Sequence, residues 1–160
     1  MSIEAVRGYF RSLGAEDRIL EFQESSATVE LAARAVGCEP ARIAKTLSFK
    51  VGEDPILIVA AGDAKIDNRK YKDTFGKKAV MLTPEEVLER IGHAVGGVCP
   101  FGVPETVKVY LDESLKCFET VFPAAGSANS AVELNLEELA RYSRAAGWAD
   151  VCKGWQETKE

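Results

Sequence analysis

Apolar positions along the chain fall into two periods. Ile3, Val6, Phe10 and Leu13 recur at helical spacing, and Gly14 follows as a stop. Val29, Ala32, Ala33 and Val36 make a second helical face, with Thr28 at its start and Gly37 past its end. Pro40 opens a short third helix. The period then drops to two: Leu47, Phe49 and Val51 alternate with Thr46, Ser48 and Lys50. Gly52-Glu53-Asp54-Pro55 is turn chemistry, and Ile56 to Ala61 is an unbroken apolar run, so residues 46–61 read as a β-hairpin.

Asp67 to Phe75 suits a helix that ends at Gly76, and Ala79 to Leu82 suits a short strand. Thr83-Pro84-Glu85-Glu86 is a helix start: a threonine cap, proline in the first turn and glutamate three residues on. Residues 94–106, with three glycines and two prolines, read as a loop. Strands follow at Val107 to Leu111, Phe118 to Phe122 and Ala131 to Leu134, with a small-residue loop from Ala124 to Ser130. Asn135, with Glu138 three residues later, opens a last helix to about residue 146. Short turns join several strands directly. That favours α+β with a mixed, mainly antiparallel sheet over a doubly wound parallel one. With no repeat and no linker, residues 1–160 are expected to form one domain, frayed over 153–160.

At 46% hydrophobic and 28% charged residues, the 160-residue chain is neither disordered nor collagen-like. Twenty basic residues against 25 acidic ones give −5, which argues against a strongly basic nucleic-acid wrapper but leaves room for a local patch. One segment is such a patch. Residues 63–78 hold Lys65, Arg69, Lys70, Lys72, Lys77 and Lys78 against Asp63, Asp67 and Asp73, a net +3, which leaves −8 elsewhere. It reads as a solvated face or as a surface for a phosphate backbone. Cysteines at 38, 99, 117 and 152 form no close pair, and His93 is the only histidine. No metal and no cofactor are therefore expected, and free thiols suit a reducing compartment. The start is polar, and the longest apolar run is far too short to span a bilayer, so a cytoplasmic protein without a membrane partner is expected.

Lys45 is the first candidate for chemistry. As part of the strand it shares a face with Leu47, Phe49 and Val51, where a lysine needs a partner. Two readings stand: a helix-end residue pointing to water, or an ammonium at the mouth of a pocket holding an anionic or carbonyl group. The loop Gly96-Gly97-Val98-Cys99-Pro100-Phe101-Gly102 is the second candidate. Its glycines let backbone N–H groups approach a carbonyl or oxyanion, although it lacks the spacing of a nucleotide fingerprint. Cys99 with His93 as base is a nucleophile reading without a local signature; the alternatives are Cys99 as a pocket wall and His93 at a helix C-terminus. Gly126-Ser127-Ala128-Asn129-Ser130 and Ser25-Ser26-Ala27-Thr28 read as turns or caps that double as pocket rims.

These pieces, in this order and spacing, resemble the YbaK / prolyl-tRNA-synthetase-associated editing-domain family. The residues that carry the resemblance are Ser26-Ala27-Thr28, Ile43 to Phe49 around Lys45, Ala61-Gly62-Asp63 with Asp67 and Lys70, Gly96 to Gly102, and Ala125-Gly126 before Val132-Glu133-Leu134. The likeness covers roughly residues 3–152. It implies a mixed sheet curved into a partial barrel with helices around it, and hydrolysis in trans of the ester on a mischarged tRNA. It implies that Lys45 is essential and binds the terminal phosphate or ribose region. Backbone N–H groups of Gly97, Val98 and Cys99 would meet the oxyanion. Ser26, Thr28, Gly96, Pro100, Phe101, Gly126, Ser127 and Asn129 would bind substrate. Partners implied are the acceptor end of a tRNA, tRNA-Pro first, and a synthetase. Many members carry serine in place of Cys99, and many have basic residues and a glycine where this chain has Ser127, Ala128 and Asn129. Small pocket walls point to alanine, serine, cysteine or a proline-sized side chain. The rival function is a module that binds a tRNA end or small ligand in the same pocket without hydrolysis.

Overall fold

The computed structural model describes residues 3–93 and 97–155. Helix α1 (Ile3–Ser12) buries Val6 and Phe10. Strand β1 (Ile19–Glu21) precedes α2 (Val29–Val36), where the Thr28 side chain accepts from Leu31 N and Gly37 closes the helix at φ 80°. Strands β2 (Ile43–Val51) and β3 (Asp54–Ala61) form the expected hairpin, in register from Ala44↔Ala61 to Val51↔Asp54. Then come β4 (Lys65–Ile66), α3 (Asn68–Phe75, capped by Asp67) and α4 (Pro84–Glu86), which runs into a π-helical turn over Val87–Ile91. The chain continues through β5 (Lys108–Asp112), β6 (Thr120–Pro123), β7 (Ser130–Val132) and β8 (Leu134–Asn135). It closes with α5 (Leu136–Tyr142), β9 (Gly147–Ala149) and β10 (Cys152–Lys153).

The fold is α+β, and its central sheet, ordered β8-β6-β2-β3-β5-β9, curls into a half barrel. β2–β3 and β6–β8 are antiparallel, while β2–β6, β3–β5 and β5–β9 are parallel. With the separate antiparallel pairs β1–β7 and β10–β4, antiparallel contacts are the majority among the described residues. β3 is covered on both faces, which explains its continuous apolar run. One face packs Leu57, Val59 and Leu111 on Phe10, Phe101 and Leu139; the other packs Phe49, Ile56 and Ile58 on Tyr71 and Val151.

Several boundaries differ from the pattern-based expectation. The run 79–82 makes only a single bridge, Phe49↔Met81. The strand expected over 131–134 is two, β7 and β8, which pair with different partners. The last helix stops at Tyr142 rather than near 146, because Arg144 turns left-handed at φ 55° and donates its N–H back to Arg141 O. Lys153 pairs with Lys65, and Trp155 Nε1 donates to Cys152 O; the rest of the tail expected to fray, 156–160, lies outside the described residues.

The outer edge of β2 positions the site. β6 borders it only at Ile43 and Ala44. Farther along, Lys50 N donates to Val80 O and Leu82 N to Ser48 O. The stretch between, Lys45 to Leu47, has β3 on one side and, among the described residues, no strand on the other.

Candidate functional site

A cavity of about 410 Å³ opens beside that bare edge. Its walls are the segment Ser26–Val29 with Ala32, β2 from Ile43 to Ser48, Met81, Leu82, Pro84 and Val87, Val98, and Phe122, Ala124, Ser130 and Ala131. The volume is in the range of small-molecule sites, and the lining is mainly apolar with a few polar groups, the usual composition of such a site.

Lys45 lies within β2 and lines the cavity, so it is neither a helix-end residue nor in bulk water. Its ammonium donates to the backbone carbonyls of Ala64 and of Gly62, the latter at 3.3 Å. Burial pulls its pKa below the usual lysine range, with Asp63 and Cys152 opposing. The turn that supplies these carbonyls is fixed from both sides. A β-carbon on Gly62 would stand 2.1 Å from Pro40 O and 2.8 Å from Val29 Cγ1, so only glycine fits there. On the other side, Ala61 N donates to Ser114 Oγ at 3.0 Å. The buried Asp112 carboxylate accepts from Ser114 N and Val151 N, both at 2.9 Å. Asp112 and Ser114 therefore support the lysine at one remove. The Asp-x-Ser turn was the available sequence signal for them.

The segment before α2 is laced to the loop before β7. Ser26 N donates to Ala128 O at 2.6 Å, Phe22 N donates to Asn129 O, and Asn129 Nδ2 donates to Phe22 O at 2.9 Å. Ser127 Oγ donates to Ser130 Oγ at 2.7 Å, and Gly126 takes φ 100° at the turn. A β-carbon on Gly97 would fall 2.9 Å from the Ser127 backbone, so the 97–98 loop lies directly on the 126–130 loop. Of the expected site residues, Ser26, Thr28, Lys45 and Val98 line the cavity; Gly97, Gly126 and Ser127 do not line it, although Gly97 is seated on Ser127. Gly96 lies outside the described residues.

Other candidates are placed elsewhere. Cys99 and Phe101 are fully buried in the main core and do not line the cavity. The Cys99 thiol does meet His93, at 3.6 Å, but burial pushes it up to about 12. It is no thiolate at neutral pH, and a nucleophilic pair finds no support. His93 does not serve a helix end either: its Nε2 stands 3.1 Å from Phe101 O, and burial lowers its pKa. Pro100 faces a second cavity, lined by Tyr9, Tyr142 and Arg144. Asn129 ties β1 to β7 and does not line the first cavity.

Two further features were not foreseen. Thr46, one of the polar positions alternating along β2, lines the cavity, as does Ser48. The hydroxyls of Thr46 and Ser26 are buried and have no hydrogen-bond partner among the described residues. Buried hydroxyls are normally bonded, so both are available to a guest. Lys45 is the only titratable side chain among the described lining residues; no carboxylate, imidazole or thiol joins it. What the cavity offers is an ammonium, hydroxyls and exposed backbone.

Comparison with known proteins places this architecture. The family model for the aminoacyl-tRNA editing domain matches residues 23–142. The chain belongs to that family. This editing domain is 57% identical over 157 residues to the uncharacterized protein YwhH of Bacillus subtilis, covering 98% of this chain and 100% of that one. It is 28% identical over 137 residues to the proline–tRNA ligase of Thermosipho melanesiensis, covering 85% of this chain but 24% of the ligase. A solved structure proposed as a trans-editing enzyme for prolyl tRNA synthetase superposes with a TM-score of 0.85 at 31% identity, over 95% of this chain and 97% of that one. The matched region holds every wall of the first cavity.

Proposed function

We propose that this protein is an aminoacyl-tRNA deacylase acting in trans. Its substrate is mischarged tRNA, first tRNA-Pro carrying alanine, cysteine or another small amino acid. The observation that carries this reading is an apolar cavity whose one titratable group among the described lining residues is an immobilised lysine, with two hydroxyls beside it that no described residue claims. An aminoacyl ester is already activated, so positioning and charge stabilisation suffice without a strong nucleophile.

In the proposed reaction the 3′-terminal adenosine and its amino acid enter the cavity. An ammonium has three N–H bonds. Two of those on Lys45 are held by Gly62 and Ala64, and the third is left for a phosphate or ribose oxygen of the tRNA end. Water adds to the ester carbonyl carbon, and the 97–99 loop receives the resulting oxyanion where Val98 lines the cavity. Collapse breaks the bond to the ribose oxygen, which takes the proton that the attacking water gives up. The products are free amino acid and uncharged tRNA. Ser26 and Thr46 would hold the amino acid or the ribose. Partners in this reading are the tRNA acceptor end and, during hand-over, a synthetase.

The test is a deacylation panel with Ala-, Ser-, Cys- and Pro-charged tRNA-Pro, using wild type and Lys45→Ala. Release of small noncognate amino acids by wild type, lost in a well-folded Lys45→Ala variant, is expected. Protection of every ester by wild type would instead favour a module that binds without hydrolysis.

A further inference from the structure

A second surface starts where the Lys45 turn ends. Ala64, which accepts from Lys45, is followed by Lys65 in β4, and Lys65 stands directly opposite Lys153 in β10. Both side chains are exposed. Like charges placed directly across a ladder repel, so this two-stranded ribbon carries an arrangement that weakens it. The next element repeats the pattern. α3 places Arg69 and Lys70 in its first turn, where the helix dipole disfavours cations.

Two of the carboxylates nearby are engaged, and Asp73 on α3 is exposed among the cations. Asp67 accepts from Arg69 N and Lys70 N, and Asp150 pairs with Lys70 at 3.1 Å. Arg69, Lys72, Lys77 and Lys78 are exposed beyond them. All of this sits on a chain with a formal charge of −5. Lys65 is also close enough to Lys45 to oppose its protonation, so the ribbon and the cavity share one electrostatic neighbourhood.

We infer that the β4–β10 ribbon and α3 form a track for the phosphate backbone of an RNA acceptor stem whose 3′ end lies in the Lys45 cavity. The inference rests on the tRNA reading above and adds the surface that holds the duplex. An anion between Lys65 and Lys153 turns a repulsive pair into a chelating one, and the first turn of α3 faces its next phosphate. The track supplies affinity and register, not chemistry, because phosphate contacts position a nucleic acid without reading it.

The experiment uses the full chain, a fluorescent RNA hairpin with a tRNA-Pro acceptor stem and single-stranded 3′ end, and Ala-charged tRNA-Pro. The variants are Lys65→Gln, Arg69→Gln and Lys153→Glu, with Arg141→Gln on α5 as a control. Each track variant should weaken hairpin binding by roughly threefold or more and reduce the slope of log affinity against log salt by about 1, as loss of one phosphate contact does. KM for the charged tRNA should rise with kcat unchanged. Lys153→Glu, which now faces Lys65, should melt at or above the wild-type temperature while binding worst. A structural role alone would move stability and binding down together. Binding and salt slope within experimental error of wild type in all three variants would overturn the track. If wild type hydrolyses no charged tRNA yet binds the hairpin through these residues, the deacylase reading fails and the track stands.

Discussion

At the scale of single residues, the cavity is organised by what Lys45 lacks as much as by what it holds. Among the described lining residues no carboxylate pairs with it, and burial disfavours its charge. Between the lowered folded value and the ordinary value near ~10.4, the folded state binds fewer protons than the unfolded one, so this group makes stability rise with pH across that window. Function runs the other way, because the ammonium is what an anionic tRNA end needs. Deacylation, corrected for spontaneous ester hydrolysis, should therefore fall on an alkaline limb below pH ~10.4, and Lys45→Arg should erase that limb. Lys45→Ala should lose on the order of 10²–10³ in kcat/KM, the scale of one transition-state donor, while its melting temperature holds. Ser26→Ala and Thr46→Val should show the same dissociation. Neither hydroxyl has a hydrogen bond to lose among the described residues, so thermal stability should change little while KM for the charged tRNA rises several-fold. Cys99→Ala tests the opposite case. It empties core volume and should lower stability by about 1–3 kcal/mol, with deacylation retained because the backbone N–H is untouched.

At the scale of elements, what was legible in the sequence was local chemistry. Thr28, Thr83 and Asn135 announce helix starts because a side chain and an N–H two or three residues away suffice to make a cap, and all three caps are present. The β2–β3 hairpin was legible because its alternation and its turn lie within one short window. The strands β1, β4, β9 and β10 were not, because runs of two or three residues carry no period and are defined by distant partners. Half of the cavity was hidden for the same reason. The polar face of β2 could not be placed on a cavity until the bare edge of that strand, and the segments enclosing it, were known. The N-terminal cap of α5 offers a quantitative check. Asn135 Oδ1 accepts from Glu138 N at 2.7 Å, and the Glu138 carboxylate accepts from Asn135 N and from Arg18. Asn135→Ala should cost about 1 kcal/mol in denaturant unfolding. The Glu138 pKa is held down, chiefly by Arg18, so its contribution is present above the unfolded value near ~4.3 and is lost as pH falls through the folded value. Removing Arg18 as Arg18→Gln should flatten that acid loss.

At the scale of the whole molecule, the cavity is a meeting of segments far apart in the chain. Ser26 to Val29, β2, Met81 and Leu82 with Pro84 and Val87, Val98, and Phe122 and Ala124 with Ser130 and Ala131 converge on it, held by backbone bonds such as Ser26 N to Ala128 O and by the close seating of Gly97 on Ser127. Two of those walls are loops strapped to each other rather than to the central sheet, so they are where local opening should cost least. A guest that bridges β2 and both loops must then stabilise all of them at once. A non-hydrolysable alanyl-adenosine amide at 100 times its dissociation constant should add about 2.7 kcal/mol to unfolding. Amide exchange should slow in residues 24–30 and 126–130 together, and change little in α1 and α5, which do not line the cavity. In Gly97→Ala the new β-carbon forces the 97–98 loop away from the 126–130 loop, and the analogue should protect 126–130 less, although the sheet should exchange as in wild type. Protection confined to β2, with both loops unchanged, would mean that the tRNA end is held by the strand edge alone and that the loops serve the fold rather than the substrate.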